Sequence, residues 1–277
     1  MTINFTKMQA LGNDFVVIDG VRQAIALTRD QVRRLADRHL GIGCDQLLVA
    51  EPSGDPEFDF RFRIYNADGG EVGQCGNGAR AFARFLRDQG LTERTDIRVA
   101  TRGGPMVLQI APGGLVSVNM GVPTFEPAEI PFDAPARRPT YSLDVDGGNL
   151  EISALAIGNP HAVQEVPEVD DAPVGRLGPA IESHSRFPQR VNAGFMEVLD
   201  AGRIRLRVYE RGVGETLACG SGACAAAVAG IQLGKLDNRV QVQVQGGLIS
   251  VNWQGEGYPV WMSGPATTVF EGRIDLE

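Results

Sequence analysis

Lysine is almost missing from this sequence: its 277 residues contain only Lys7 and Lys235. A pyridoxal-phosphate enzyme needs a lysine amine for its Schiff base. Lys7 falls in an expected opening strand and Lys235 beyond the C-terminal end of an expected helix, so neither suits that role and chemistry without a cofactor is favoured. Histidine is scarce as well, with only His39, His161 and His184. No Cys-x-x-Cys occurs, and Cys219 and Cys224 would point to different faces of one helix, so no metal site is expected. Four cysteines in so long a chain are too few for a disulfide framework. No apolar run nears the ~20 residues of a membrane span, and "MTINFTKMQALGNDF" lacks the basic start and apolar core of a signal peptide. A cytoplasmic location is therefore expected. The net charge is −8 and no basic stripe forms, which argues against nucleic acid or an anionic membrane and leaves a small molecule as the expected partner.

What is present is β-rich and rhythmic. Alternating or β-branched runs occur at "FVVID", "DQLLVA", "FDFRFRIYN" and "DIRVATRGGPMVLQIAPGGLVSVNMG", the last cut by Gly-Gly and Pro-Gly turns. "TRDQVRRLADRHLG" predicts an amphipathic helix capped by Thr28, with Val32, Leu35 and Leu40 on its apolar face and Gly41 ending it. A second helix follows Cys75 and stops at Gly90. After a proline-rich stretch from Pro123 to Pro139 the order returns: strands, a helical segment near 174–185, the strand pair "FMEVLDAGRIRLRVYE", a Cys-led helix, then "VQVQVQGGLISVNWQG".

The return is a duplication. Shifted by 144 positions, "IYNADGGEVGQCGNGARA" (64–81) aligns without gaps on "VYERGVGETLACGSGACA" (208–225), and Tyr65/Tyr209, Gly70/Gly214, Glu71/Glu215 and Cys75/Cys219 match, as do the Gly, Gly, Ala and Ala that follow. "GND" at Gly12 echoes in "GNP" at Gly158. The expected fold class is α/β (α+β), built of two duplicated modules. An N-terminal module covers 1–118, a C-terminal module 119–264, and a ligand site is expected in the cleft between them.

Both "CGNGA" and "CGSGA" open a helix. A helix N-terminus exposes unpaired N–H groups and the positive end of the macrodipole, so it favours a carboxylate, and it lowers the pKa of a cysteine placed there. The second helix, "GSGACAAAVAGIQLG", is small and apolar nearly all round and reads as a buried axial helix. Two thiols on opposite sides of one bound molecule suit inversion of a stereocentre. One thiolate removes the α-proton while the opposite thiol delivers another, and the helix tips hold the α-carboxylate. A cysteine hydrolase or thiol acyltransferase would leave the second cysteine unexplained, and a non-catalytic anion binder would gain nothing from reactive thiols. Cys44 and Cys224 read as packing residues, His39 and His184 as ordinary histidines.

By "MQALGNDFVVID", "GIGCDQLL", "YNADGGEVGQCGNGARAFARF", "GNPHAV", "RVNAGFMEV" and "ERGVGETLACGSGACAA" the sequence resembles the diaminopimelate epimerases along its full length. The resemblance implies two halves, each a curved mixed or antiparallel sheet wrapped around a central helix, a closing motion on substrate, a homodimer, and a C-terminal strand (265–277) packed back on the first half. It implies cofactor-independent interconversion of LL- and meso-2,6-diaminopimelate, in lysine and peptidoglycan-precursor biosynthesis. Cys75 and Cys219 become the paired acid and base, with Cys219 the acceptor and Cys75 the donor in the LL-to-meso direction. His161 and Glu210 become the groups that tune thiol protonation. Substrate contacts fall on Asn13, Gln46, Asn66, Gly76, Asn77, Asn159, Asn192, Glu210, Arg211, Gly220 and Ser221. Arg211 is suited to clamp the distal carboxylate. Phe270 stands where some relatives carry a tyrosine tied to dimer contacts. Proline and hydroxyproline racemases share the paired-cysteine logic, but "LGNDF", "GSGACAA" and Arg211 favour the diaminopimelate branch. A disulfide between Cys75 and Cys219 is the expected oxidised, inactive form.

Overall fold

The computed structural model describes residues 1–111 and 113–276. The chain forms two compact units, Met1–Asn119 with Ser263–Glu277, and Met120–Met262.

In the first unit, β1 (Thr2–Ala10) and β2 (Asn13–Asp19) form a hairpin whose two turn residues, Leu11 and Gly12, both have positive φ, the pattern that matches strand twist. The helix α1 (Arg29–Ala36) follows, then β3 (Gln46–Glu51), β4 (Phe60–Asn66), the short β5 (Glu71–Val72), α2 (Gly76–Asp88), β6 (Asp96–Thr101), β7 (Gly104–Ile110) and β8 (Val116–Asn119). From β1 outward the ladder runs antiparallel to β2, parallel to β3, antiparallel to β4, parallel to β6, then antiparallel to β7 and β8. The face of α2 that carries Ala79, Phe82, Ala83 and Leu86 is buried against this sheet, with Phe82 stacked on Phe62 at 4.1 Å.

The second unit repeats the pattern. It contains β9 (Tyr141–Val145), β10 (Gly148–Ala156), β11 (Pro160–Glu165), α3 (Val174–Glu182), β12 (Asn192–Asp200), β13 (Arg203–Glu210), β14 (Gly214–Thr216), α4 (Gly220–Gln232), β15 (Arg239–Val244) and β16 (Gly247–Asn252). From β10 outward the ladder is antiparallel to β11, parallel to β12, antiparallel to β13, parallel to β15 and antiparallel to β16, the same sequence of senses as in the first unit. Helix α4 is buried from Gly222 through Gly230, as its apolar composition implied. The strand β17 (Trp261–Gly264) carries the chain back, and β18 (Thr267–Asp275) pairs antiparallel with β1.

One expected boundary is wrong. Helix α1 ends at Ala36, five residues before Gly41, and Leu40 is exposed. The Asp37 carboxylate accepts the N–H groups of His39 and Leu40, which turns the chain outward, and the N–H groups of Ile42 and Gly43 then fold back onto the Leu35 carbonyl. Gly41 serves that return, because a Cβ there would lie 1.9 Å from the Arg34 carbonyl oxygen. The segment expected near 174–185 is helical only to Glu182. Among the described residues no helix is long and apolar enough to cross a membrane.

Candidate active site

Each unit delivers its cysteine in the same way. A tight hairpin (β4–β5 or β13–β14) runs straight into the N-terminus of the buried helix, and the cysteine is the N-cap. Cys75 Sγ accepts the Gly78 N–H at 3.2 Å, and Cys219 Sγ accepts the Gly222 N–H at 3.3 Å. A thiolate gains from such a bond, because it satisfies an otherwise unpaired helix-end donor and sits at the positive end of the dipole. Space at the glycines is tight. A Cβ on Gly78 would be 3.3 Å from Cys75 Sγ, and one on Gly222 would be 3.1 Å from Cys219 Sγ and 3.0 Å from Val208 Cγ2. Both cysteines are thiols, as are Cys44 and Cys224.

In the first unit, the site residues gather around α2's first turn and the starts of β2 and β3. Asn13 is the first residue of β2, beyond the turn; its amide donates to the Asp45 carboxylate at 2.8 Å, and its carbonyl oxygen accepts from the Asn77 amide at 3.4 Å. Gln46, opening β3, sits opposite Asn66 and donates to its side-chain oxygen at 2.9 Å. Gln46 Oε1 is buried and has no hydrogen-bond partner among the described residues. Gly76 and Asn77 form the helix's first turn, both buried.

Behind Asn13 lies an ionic cluster that the sequence did not announce. The Asp14 carboxylate accepts from Lys7 at 2.6 Å and from Arg38 at 2.8 and 3.0 Å, and Arg38 also reaches Asp45 at 2.8 Å. Burial opposes ionisation of Asp14, but Arg38 and Lys7 outweigh it and hold the carboxyl well below the usual range. Lys7 also donates to the Gly43 carbonyl. The Cys44 thiol is pushed up to about 12 by burial, as suits a packing residue.

In the second unit, Asn159 immediately precedes β11 and His161 is its second residue, and His161 Nε2 lies 3.0 Å from Asn159 Oδ1. Asn192 opens β12 beside His161, donates to the Pro160 carbonyl at 2.9 Å and accepts the Arg211 backbone N–H at 3.0 Å. Arg211 is exposed and uses one guanidinium nitrogen on the Gln189 carbonyl. The Glu210 carboxylate accepts the Thr216 hydroxyl and takes a hydrogen bond from Cys219. Burial, then the Glu210 charge, raise the Cys219 thiol well above its ordinary value; the Gly222 N–H and the Ser221 hydroxyl, 3.7 Å away, pull the other way. The Glu210 carboxylate thus lies beside the Cys219 thiol. Phe270 lies apart from all of these, half exposed on β18 with its ring edge-on to Phe5 at 6.0 Å.

Burial, then the positive charge of Arg211, depress the His161 pKa to about 3, so the ring is neutral near pH 7. Below about 6.5 the unfolded chain binds a proton here that the folded chain refuses. Stability from this residue is thus full above about 6.5 and is lost as pH falls toward 3. Replacing His161 by Phe, the residue at the equivalent position of β2 (Phe15), is expected to flatten the acid limb of a urea-melting series between pH 6.5 and 4.5 by up to about 1.4 kcal/mol per pH unit.

Pairing registers reveal site equivalences that the 144-residue shift misses. Phe15 pairs with Gln46 as His161 pairs with Asn192, so an offset of 146 relates Asn13 to Asn159, Phe15 to His161 and Gln46 to Asn192. The missed residues are the supports: Asp45 on Asn13, Thr216 on Glu210, and the glycine amides on each sulfur. The echo of "GND" in "GNP", extended at its own offset, contains the signal for the first set.

The diaminopimelate epimerase family model matches residues 5–126 and 153–269. A diaminopimelate epimerase of Nitrosospira multiformis is 58% identical over 277 residues, and one of Chromobacterium violaceum is 59% identical over 276; each match covers 100% of both chains. Among solved structures, a phenazine biosynthesis protein of the PhzF family from Bacillus anthracis superposes with a TM-score of 0.71 at 18% identity, covering 100% of both chains. A hydroxyproline epimerase from Agrobacterium vitis gives 0.68 at 16% identity, covering 99% of this chain and 92% of that one. At such identities the two structures speak to the fold alone.

Proposed function

Because the chain belongs to the diaminopimelate epimerase family, we propose that it interconverts LL- and meso-2,6-diaminopimelate by two-thiol acid–base catalysis, as a cytoplasmic biosynthetic isomerase. The observation that carries the reading is the matched pair of N-capping cysteines, each with a glycine N–H on its sulfur. A thiolate of one half takes the α-hydrogen as a proton, the C–H electron pair delocalises into the α-carboxylate, and the thiol of the other half returns a proton to the same carbon. One S–H bond forms and one breaks, so turnover leaves the two thiols with exchanged protonation.

In the LL-to-meso direction Cys219 is the acceptor, and Glu210 first withdraws its proton. Neutral His161 adds no positive charge that would compete for the carboxylate of Glu210. The N–H groups at Gly76, Asn77, Gly220 and Ser221 receive the α-carboxylate as charge builds on it. Asn13, Gln46, Asn66, Asn159 and Asn192 position the ammonium and carboxylate groups. Arg211 pairs with the distal carboxylate, which a proline substrate lacks. A homodimer as the working form is supported by exposed Val269 and Phe270 on β18, which are suited to a contact with a second copy of the chain.

Chiral chromatography of LL-diaminopimelate incubated with the protein, without added cofactor, tests the assignment. Formation of the meso isomer, with no racemisation of L-proline, is expected. Turnover of proline alone, or a requirement for pyridoxal phosphate, would overturn it.

A further inference from the structure

The two cysteine loops share one more pair of residues. Arg63 Nε and Nη2 donate to Glu71 Oε1 and Oε2 at 3.1 and 3.0 Å, and Arg207 Nε and Nη2 donate to Glu215 Oε1 and Oε2 at 2.6 and 3.0 Å. Both are two-pronged fork contacts, and both lie at the 144-residue offset that relates Cys75 to Cys219. Each arginine stands on the strand before the hairpin and each glutamate on the strand after it, four residues from the cysteine.

Each fork is itself tied down, by groups that differ between the halves. Arg63 stacks over Tyr65 at 5.0 Å, and Arg102 donates to the Glu71 carbonyl at 2.7 Å. Arg207 donates to the carbonyls of Val169, Asp170 and Ala172, and Gln245 donates to Glu215 at 2.9 Å. The Arg–Glu fork and the N-cap geometry are therefore common to both copies, while the surrounding contacts have changed. All four side chains are a fifth to a quarter exposed, so an isolated ion pair here would add little to stability. A two-pronged contact across a hairpin does something else: it fixes the strand register, and so where the next residues emerge.

We propose that Arg63–Glu71 and Arg207–Glu215 are positioning pairs, each locking the hairpin that aims its own cysteine at the glycine amide of the helix. The inference deepens the two-thiol reading and rests on it. The Sγ···H–N contacts of 3.2 and 3.3 Å depend on where β5 and β14 release the chain. Loosening the fork lets the sulfur leave the amide, which removes stabilisation of the thiolate.

The test uses Cys75, the more accessible of the two thiols, and needs no substrate. The rate of alkylation by iodoacetamide is followed against pH, and modified Cys75 is identified by peptide mass. Glu71→Gln keeps shape but weakens the fork, and Arg63→Lys keeps charge but has no fork; both are expected to move the Cys75 midpoint upward and slow alkylation at neutral pH about three- to tenfold. Glu215→Gln, acting on the other hairpin, is expected to lower kcat with little change in KM while leaving the Cys75 profile unchanged.

A downward midpoint in Glu71→Gln would mean that Glu71 acts through its charge rather than through geometry, and would overturn the proposal. So would an unmoved Cys75 profile, or equal shifts from the Glu71 and Glu215 variants. None of the alkylation readouts depends on which amino acid the enzyme epimerises. Failure of the substrate assignment and failure of the positioning pairs are therefore distinguishable.

Discussion

Cys219→Ala is expected to lower kcat for epimerisation by at least about 10³-fold, with folding intact. General acid–base catalysis by one placed group contributes roughly 10²–10⁴-fold, and here each thiol carries half of a coupled transfer. Removing one sulfur leaves the other with nothing to complete the inversion. Stability should fall by only about 1 kcal/mol, the cost of losing the N-cap sulfur that accepts the Gly222 N–H, so the variant still folds. Cys75→Ala is expected to lose activity to the same degree, whereas Cys44→Ala is expected to retain it, its thiol being held protonated within the packing of α1 and β3. Assays in both directions with purified variants, alongside thermal melts, check all three.

The second large effect is geometric. Gly222→Ala is expected to lower kcat on the order of 100-fold, because displacing a reacting group by about 1 Å can cost that much. The added methyl would meet Val208 on one side and the Cys219 sulfur on the other, at 3.0 and 3.1 Å. Val208 is 2% exposed and held in its strand, while the sulfur can rotate away from the Gly222 amide; the sulfur is the neighbour that yields. Gly78→Ala puts its methyl 3.3 Å from Cys75 and 3.3 Å from Leu48, so the same change there is expected to be milder. Comparing kcat and melting temperature for the two variants separates sulfur displacement from general instability.

The duplication was legible because its signature is local and ungapped: Tyr65, Gly70, Glu71 and Cys75 recur at a constant offset in the second half. The buried character of α4 was legible for a similar reason, since a helix of glycine and alanine has no polar face to offer water. The end of α1 was not. Periodicity carried the helix to Gly41, but Asp37 captured two backbone N–H groups, a competition between side chain and backbone that hydrophobic spacing does not register.

The supports of the site escaped for another reason. Asp45 on Asn13 is a contact across 32 residues, and Arg63 on Glu71 depends on hairpin register; both become visible only once strands are paired. Even then, the divergence of the halves has a chemical logic. The first half carries Phe15 and Asn66 where the second carries His161 and Glu210, so the two copies present different groups at matched positions. The groups on the reacting α-carbon differ from one another, so a scaffold of two like halves must diverge to fit them.

The most direct measurement is solvent-deuterium incorporation during the first few per cent of turnover of unlabelled LL-diaminopimelate in deuterated water. With two thiols, one removing the α-hydrogen and the other delivering a solvent-derived proton, the meso product should carry deuterium at the inverted carbon while the remaining LL substrate stays unlabelled. Meso product that keeps the substrate's own hydrogen would contradict this, because a single group would then have lifted the proton and returned it to the opposite face.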